Sequence, residues 1–372
     1  MNQRFQLAAF LMICCLSVKI VTAQKAQKQL AVIAYYAGDS VQIDNFDINK
    51  ITHVIFSFCH LKGNRLSVAN ARDTATIKKL VSKKQENPSL KVMLSLGGWG
   101  GCKECSAVFN TKDGRKEFAA SVKELLDYFQ ADGIDLDWEY PAIEGFPGHQ
   151  YLPADKTNFT ALVKQLRKKL GKHKLISFAA GGFSKYLENS IEWKKVLRKA
   201  DFVNLMTYDL ISGFSKVTGH HTPLYSTSSQ VESIDHAVTY LTSIGISPHK
   251  LAIGAAFYGR VFDSVANINN GLYQPARFKA YVPSKLFPDV LSTDKGFVYY
   301  WDDEAKAPYC YNPVSGTFAT FDNTRSMALK TKYAIDKKLY GIMFWQLTED
   351  TLPGGVLLTT IDEVRNGKIT AE

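Results

Sequence analysis

Eight short runs rich in apolar and β-branched residues recur along the chain, and helical patterns with apolar residues every three or four positions lie between several of them. Strands that alternate with amphipathic helices are typical of a parallel sheet with helical crossovers. Eight such strands in 372 residues favour an α/β fold of the closed TIM (β/α)8 barrel type over a doubly wound open sheet. The predicted strands are residues 30–36, 52–58, 91–96, 133–139, 175–180, 202–207, 251–257 and 340–346, and the clearest helical patterns are residues 74–84, 114–129, 155–170, 231–244 and 323–337.

The last two predicted strands are unusually far apart, with more than eighty residues between them. The excess, residues 262–322, is rich in Tyr, Asn, Asp, Gly and Pro. This composition predicts a small α+β insertion between strand seven and the helix that follows it. The expected organisation is a barrel of residues 24–261 and 323–372 with an insertion subdomain of residues 262–322, and no separate binding module.

The N-terminus has the composition of a secretory signal peptide. Arg4 precedes an apolar run that is too short to span a bilayer, and the small residues up to Ala23 suit a cleavage site. Residues 1–23 are therefore predicted to be removed, and the remaining chain is expected to be secreted and extracellular, without a membrane span. Lipid attachment at Cys14 is a weaker alternative, because Ile13 is bulky where a lipoprotein box requires a small residue.

The chain is basic, with a formal net charge of +10. Such a balance can indicate a nucleic-acid or anionic partner. Lysines such as Lys168, Lys169, Lys194 and Lys195 are spread along predicted helix faces, which is more typical of a solvated surface. We therefore expect no nucleic-acid partner, and a monomer.

The predicted mature chain keeps four cysteines, Cys59, Cys102, Cys105 and Cys310. The two central ones are separated by two residues but lack a second cysteine pair or nearby histidines, so a zinc site is disfavoured. Export permits a disulfide, but the sequence does not distinguish it from free thiols.

The fourth predicted strand carries a row of acidic side chains. Strand side chains alternate between two faces, so its three carboxylates project together while its apolar residues face the other way. The apolar set suits the helix layer, which leaves the carboxylates inside the barrel. A solvated edge or a divalent-cation site fits less well, because the alternate positions are fully apolar and no matching His or Asp cluster is evident in the sequence. The carboxylates are Asp135, Asp137 and Glu139, and the apolar residues are Ile134, Leu136 and Trp138.

Crowding of these carboxylates predicts acid–base chemistry. Closely spaced buried carboxylates cannot all ionise, so one keeps its proton near neutral pH. Glu139 comes last and lies nearest the carboxyl-terminal mouth, where barrel active sites form, which makes it the candidate general acid. Asp137 lies one step deeper, where it can hydrogen-bond a substrate group and exchange a proton with Asp135.

Together with Asp132, these residues form a D-x-x-D-x-D-x-E strand, and here the chain resembles glycoside hydrolase family 18, the chitinase family. Residues 300–309 also resemble the family's chitinase insertion domain, and the resemblance extends from about residue 29 to 366. Four further segments resemble family motifs in the expected order: residues 95–99, 206–209, 254–260 and 341–345.

The resemblance implies a chitinase that cleaves β-1,4 bonds between N-acetylglucosamine units by substrate-assisted, retaining catalysis. Glu139 would protonate the glycosidic oxygen, and the 2-acetamido oxygen of the substrate would attack to form an oxazolinium ion. Asp137, next to Asp135, would orient the acetamide N–H, and Tyr208 would hydrogen-bond the acetamide oxygen. Glu139 would then act as base towards water. The implied partner is chitin or a chito-oligosaccharide, and neither a cofactor nor a metal is expected.

The resemblance also implies a binding surface at the strand ends, because sugar rings pack their C–H faces on aromatic rings. Trp345 would form the floor of the subsite that holds the reacting sugar, and Trp99 would pack against a neighbouring sugar. Phe214 lies at a position where many relatives carry Trp. His220 and His221 are expected to shape a loop. The other predicted binding residues are Tyr35, Phe58, Gly98, Tyr140, Met206, Asp209, Tyr258 and Arg260.

Two alternatives accompany this hypothesis. A non-catalytic, chitin-binding lectin-like protein would share the fold, but such relatives typically lose the final Glu of the signature, whereas Glu139 is present. An endo-β-N-acetylglucosaminidase acting on N-glycans would use the same acids, but the insertion is expected to deepen the groove and so to suit long linear chains.

Overall fold

A computed structural model describes residues 29–371, and the predicted signal peptide of residues 1–23 lies outside them. Eight parallel strands form a barrel that closes because the first strand pairs with both the second and the eighth. The predicted TIM (β/α)8 barrel is therefore confirmed. The barrel strands, called the first to the eighth, are Ala31–Tyr36, His53–Lys62, Lys91–Gly97, Gly133–Asp137, Leu175–Gly181, Val203–Met206, Leu251–Ala256 and Gly341–Trp345.

Helices surround the barrel, and several begin at caps that the sequence supplies. Asn70, Thr111 and Ser233 each accept a hydrogen bond from a backbone N–H in the first turn of the helix that follows. These side chains satisfy N–H groups that have no partner within the helix. The helices are Ala71–Ser82, Cys105–Asn110, Lys112–Phe129, Asp155–Leu170, Ser184–Asn189, Trp193–Val196, Ile234–Ser243, Phe287–Val290, Thr324–Asp336 and Val356–Arg365.

Two apolar layers stabilise the barrel. The outer layer packs strand residues such as Ile134 and Leu136 against the helices, and the inner layer fills the barrel with residues such as Ile33, Met93 and Phe202. Burial of both strand faces is typical of parallel sheets. The acidic positions of the fourth barrel strand therefore interrupt an otherwise apolar interior.

A second sheet of five antiparallel strands follows the seventh barrel strand. It begins at Tyr258, ahead of the predicted boundary at residue 262, since only Phe257 separates it from the barrel. The assignment of residues 262–322 to an insertion subdomain, and of residues 24–261 and 323–372 to the barrel, stays a prediction. The spatial order of its strands is Arg277–Pro283, Tyr258–Asp263, Thr317–Thr320, Ala307–Asn312 and Val298–Asp302.

Cys102, in the loop after the third barrel strand, forms a disulfide with Cys105 at the start of the next helix, whereas Cys59 and Cys310 are buried free thiols. Within residues 29–371, no helix combines the length and the apolar character that crossing a membrane requires.

Candidate active site

The acidic residues of the fourth barrel strand point into the barrel, while the alternate side chains point out. Asp135 and Asp137 lie on the strand itself, and Glu139 lies just beyond its end. All three are buried. On the opposite face, Trp138 packs against Phe109 of a surrounding helix, with 5.5 Å between ring centroids. The alternation seen in the sequence therefore separates the carboxylates from the helix layer.

Asp135 lies at the base of this row and is held from four other strands. Its carboxylate accepts hydrogen bonds from Tyr35 Oη at 2.9 Å, Ser95 Oγ at 2.8 Å and Asn204 Nδ2 at 3.3 Å, and a fourth from Ser177 Oγ. Burial raises the pKa of Asp135, although these donors oppose the shift. The donors fix the orientation of Asp135 beneath the rest of the acidic row.

Asp137 and Glu139 form a coupled acid pair. Burial, followed by repulsion from Glu139 and Asp135, holds the pKa of Asp137 well above its usual range. Burial also raises the pKa of Glu139 to about 8, with repulsion from Asp209 adding to the shift and a hydrogen bond from Tyr140 opposing it. Within residues 29–371, Oδ1 of Asp137 has no hydrogen-bond partner. The pair therefore keeps a proton at neutral pH and leaves one carboxylate oxygen free for a ligand.

A cavity of about 650 Å³ opens above the acid pair at the carboxyl-terminal end of the barrel. This volume suits part of an oligosaccharide or another small ligand. Eleven residues singled out from the sequence line it: Phe58, Trp99, Asp137, Glu139, Tyr140, Met206, Tyr208, Asp209, Tyr258, Arg260 and Trp345. Phe214, noted as a departure from the family, also lines it.

Three predicted site residues lie outside the cavity wall. Asp135 is covered by the residues above it, and Tyr35, predicted to close the pocket, is fully buried with its hydroxyl on Asp135. Gly98 has φ +81°, and a Cβ there would lie 2.3 Å from the ring of Phe58. In this structure Tyr35 supports Asp135, and Gly98 makes room for Phe58, which does line the cavity, while the binding roles of Tyr35 and Gly98 stay predictions.

The sequence did not single out Phe183, Ser212, Gly213, Phe278 and Tyr281, which also line the cavity. Phe278 and Tyr281 come from the second sheet. The ring of Tyr281 stacks on Tyr258 with centroids 4.4 Å apart, and its hydroxyl donates to Glu349 in the loop after the eighth barrel strand. The second sheet thus supplies part of the cavity wall.

Asp209 and Arg260 form an ion pair in the same wall. Nε of Arg260 donates to Oδ1 of Asp209 at 2.7 Å, and a second guanidinium nitrogen donates to Oδ2. Although burial opposes ionisation, His221 and Arg260 lower the pKa of Asp209 to about 2. Asp209 is therefore ionised and bound by Arg260, in contrast to the protonated acid pair.

The aromatic floor of the cavity is made by Trp345. Phe58 stacks on it with ring centroids 5.6 Å apart and an interplanar angle of 13°. The hydroxyl of Tyr208 lies 3.9 Å from Sδ of Met343 and makes no stronger contact within residues 29–371. Trp99, which is 47% exposed, approaches Phe214 across the rim with centroids 6.1 Å apart. The site combines a buried acid with a raised pKa, a tyrosine hydroxyl and flat aromatic faces.

The model of glycosyl hydrolases family 18 matches residues 31–350. The chain belongs to glycosyl hydrolases family 18. The resemblance inferred from the sequence is thereby confirmed.

Individual relatives agree with this assignment. The chain is similar to chitinase A1 of Niallia circulans, at 35% identity over 74% of this chain and 42% of that protein. It is also similar to chitotriosidase-1 of Mus musculus, at 32% identity over 83% of this chain and 69% of that protein. The chain thus spans less than half of the first relative.

Among solved structures, the chain resembles a glycoside hydrolase family 18 N-acetylglucosaminidase from Paenibacillus barengoltzii. The TM-score is 0.81 at 32% identity, with 90% of this chain and 99% of that chain covered. The structural similarity therefore covers nearly the whole length of both chains.

Proposed function

We propose that the chain is a chitinase that hydrolyses β-1,4 bonds between N-acetylglucosamine units of chitin or chito-oligosaccharides. The observation that carries the proposal is the acid pair: Glu139 lies in the cavity wall, where burial raises its pKa to about 8, and the charge of Glu139 helps to raise the pKa of the buried Asp137. A carboxylic acid that stays protonated at neutral pH is what protonation of a glycosidic oxygen requires. Names of the relatives support the same substrate class.

The carboxylates of the site favour participation of the substrate over a protein nucleophile. Besides Glu139, two acidic residues line the cavity, and neither suits nucleophilic attack. Burial and repulsion from Glu139 and Asp135 hold the pKa of Asp137 well above its usual range, and the pair it forms with Glu139 keeps a proton, while Asp209 is ionised but bound by Arg260. The 2-acetamido oxygen of the bound sugar is therefore the nucleophile in our proposal, and it forms an oxazolinium ion with retention at the anomeric carbon.

Each remaining site residue has a role that follows from its position. Oδ1 of Asp137, which is free in the structure, accepts the acetamide N–H and stabilises the positive charge that develops on the ring. The hydroxyl of Tyr208 holds the acetamide oxygen in line for attack. Glu139 donates its proton to the leaving group and then takes one from the incoming water.

The binding surface is the aromatic floor and wall. Trp345 carries the reacting sugar, and Trp99 and Phe214 contact the sugar on the leaving-group side, where their exposed faces meet solvent. Tyr258 and Arg260 make polar contacts from the opposite wall. We also propose that the chain is secreted, on the basis of the signal-peptide pattern in residues 1–23, and that it acts as a monomer.

The decisive experiment is a time course of products from a defined N-acetylglucosamine hexamer, with the anomer of each product recorded. The proposal predicts chain cleavage with retention, loss of turnover in Glu139→Gln, and normal turnover in Glu144→Gln, a matched change of an exposed carboxylate. Tyr208→Phe should lower kcat by about a hundredfold with little change in KM. Inversion, or a Glu139→Gln enzyme that keeps its activity, would refute the mechanism.

The same time course separates the alternatives. A lectin-like protein binds the hexamer without releasing products. An endo-β-N-acetylglucosaminidase leaves the hexamer largely intact and cleaves an N-glycosylated protein. Release of single sugars from one chain end would instead match the name of the Paenibacillus barengoltzii relative.

A further inference from the structure

The net charge of the chain is concentrated in one segment. Residues 156–199 contain twelve Lys and Arg but two Glu, which gives this segment a net charge of +10. The whole chain also carries +10, so the remaining residues are balanced. A solvated surface usually mixes both signs, and a segregation of this size requires a separate explanation.

The fold brings these cations together on one face. Arg167 connects the two parts of the segment: its Nε donates to the carbonyl of Lys199 at 2.9 Å, and its Nη1 donates to the carbonyl of Lys174 at 2.8 Å. Helix Asp155–Leu170 and the turn that follows Trp193–Val196 therefore lie side by side. The resulting basic face consists of the exposed residues Lys164, Lys168, Lys169, Lys172, Lys194, Arg198 and Lys199.

Carboxylates neutralise this face only in part: the pKa of Glu192 is lowered mainly by its hydrogen bond from Lys195 and also by the charge of Lys164. Within residues 29–371, none of its seven members forms an ion pair, while the neighbouring Arg167 and Lys195 pair with Asp201 and Glu192, both at 2.6 Å. Lys164 and Lys168 are four residues apart on one helix, and like charges at this spacing repel by about 0.2–0.5 kcal/mol per pair.

Other helices of the same chain show the opposite arrangement. Lys332 lies 2.6 Å from Asp336, and Lys123 pairs with Asp127, each at a spacing of four residues. The unpaired like charges are therefore specific to the basic face and are not typical of the helices in this chain. Their repulsion is relieved when a polyanion lies on the face and displaces its counterions.

The basic face lies at the end of the barrel opposite the cavity. Lys172 and Lys199 come just before the fifth and sixth barrel strands, at their amino-terminal ends, whereas the cavity opens at the carboxyl-terminal ends. A polymer held there leaves the cavity open to its own ligand.

We propose that the basic face binds an acidic polysaccharide, with repeated carboxylate or sulfate groups. Exposed large apolar side chains are absent from residues 152–200, so the face has neither an anchor for a lipid bilayer nor an aromatic platform for unstacked bases. Six of its seven members are lysines, which act as point charges and therefore suit a polymer held by its overall negative charge rather than by bidentate recognition of single groups. The proposal does not depend on the catalytic assignment.

The test compares two variants with equal loss of charge. The first carries Lys168→Gln, Lys172→Gln, Arg198→Gln and Lys199→Gln within the basic face. The control carries four exposed lysines changed to Gln elsewhere: Lys62, Lys112, Lys279 and Lys295. Affinity for polygalacturonate, for dextran sulfate and for neutral dextran is measured by biolayer interferometry from about 50 to 200 mM salt.

The unmodified chain should bind one or both acidic polymers and not neutral dextran, with affinity that falls as salt rises. The basic-face variant should lose affinity by about tenfold or more and show a shallower salt dependence, while the control stays within about threefold. Preference between the two polymers identifies carboxylate or sulfate as the recognised group. Equal losses in both variants, or tighter binding to duplex DNA or to phosphatidylglycerol vesicles at equal charge, would overturn the proposal. Turnover of a soluble chito-oligosaccharide should be unchanged in both variants.

Discussion

Replacement of Glu139 by Gln should stabilise the chain, and the gain should grow with pH. Burial raises the pKa of this carboxyl from 4.5 to about 8. Between these values the folded chain keeps a proton that the unfolded chain has released, so the stability of the folded state falls as pH rises. One pKa unit corresponds to about 1.4 kcal/mol, which gives a loss of about 4 kcal/mol from pH 4 to pH 8 for this group alone. The neutral amide of the variant has no such proton to lose and avoids that loss.

Urea unfolding at pH 4, 6 and 8 measures this effect directly. The free energy of unfolding of Glu139→Gln minus that of the unmodified chain should increase by about 4 kcal/mol across the range. The exposed Glu144→Gln change is the matched control for the loss of one glutamate carboxyl group. A pH-independent difference for Glu139→Gln would refute the reasoning, because Glu139 would then titrate alike in the folded and unfolded chains.

Three further changes have definite outcomes. Asp137→Asn should lower kcat by about a hundredfold while KM changes by less than about threefold, since the interaction forms mainly in the transition state; comparable effects on both constants would contradict this. Asp209→Asn should move the alkaline limb of kcat/KM to lower pH, because the charge of Asp209 raises the pKa of Glu139, and an upward shift would contradict it. Lys330→Met should lower the free energy of unfolding in urea by about 3–5 kcal/mol, because it leaves the fully buried Asp322 without the ammonium group that lies 2.6 Å away. A decrease of less than about 1 kcal/mol would contradict this prediction.

The sequence predicted the barrel because short apolar, β-branched runs mark the buried strands, and apolar residues at every third or fourth position mark the amphipathic helices between them. Element ends were predicted less well. The helical pattern at residues 74–84 corresponds to Ala71–Ser82, which starts earlier because Asn70 caps it. The pattern at residues 231–244 corresponds to Ile234–Ser243, which starts later because Ser233 caps it. Both caps are visible in the sequence, so this part of the error was avoidable.

The fourth strand was predicted to run to residue 139 but ends at Asp137. Alternation of side chains continues to Glu139, whereas pairing with the fifth strand ends at Leu136. The alternation of side chains between the two faces of a strand does not show where the backbone hydrogen bonds to the neighbouring strand end. Tyr35 shows a related limit: the resemblance placed it among the binding residues, but its depth below the cavity depends on the three-dimensional register of several strands.

The contribution of the second sheet to the cavity was not predictable from periodicity. Phe278 and Tyr281 are three residues apart, so regular alternation would place them on opposite faces of their strand. The register of the strand shifts between Phe278 and Ala280, and both aromatic rings then reach the cavity. Such irregularities depend on the pairing partner, which the local sequence does not specify.

The pH dependence of kcat/KM on a soluble chito-oligosaccharide tests the central claim most directly, because it reports the protonation of the free enzyme. The account predicts an alkaline limb with an apparent pKa of about 8, set by the proton that Glu139 retains beside Asp137. An alkaline limb at the ordinary glutamate value of 4.5 would contradict it, as would activity that persists undiminished far above pH 8.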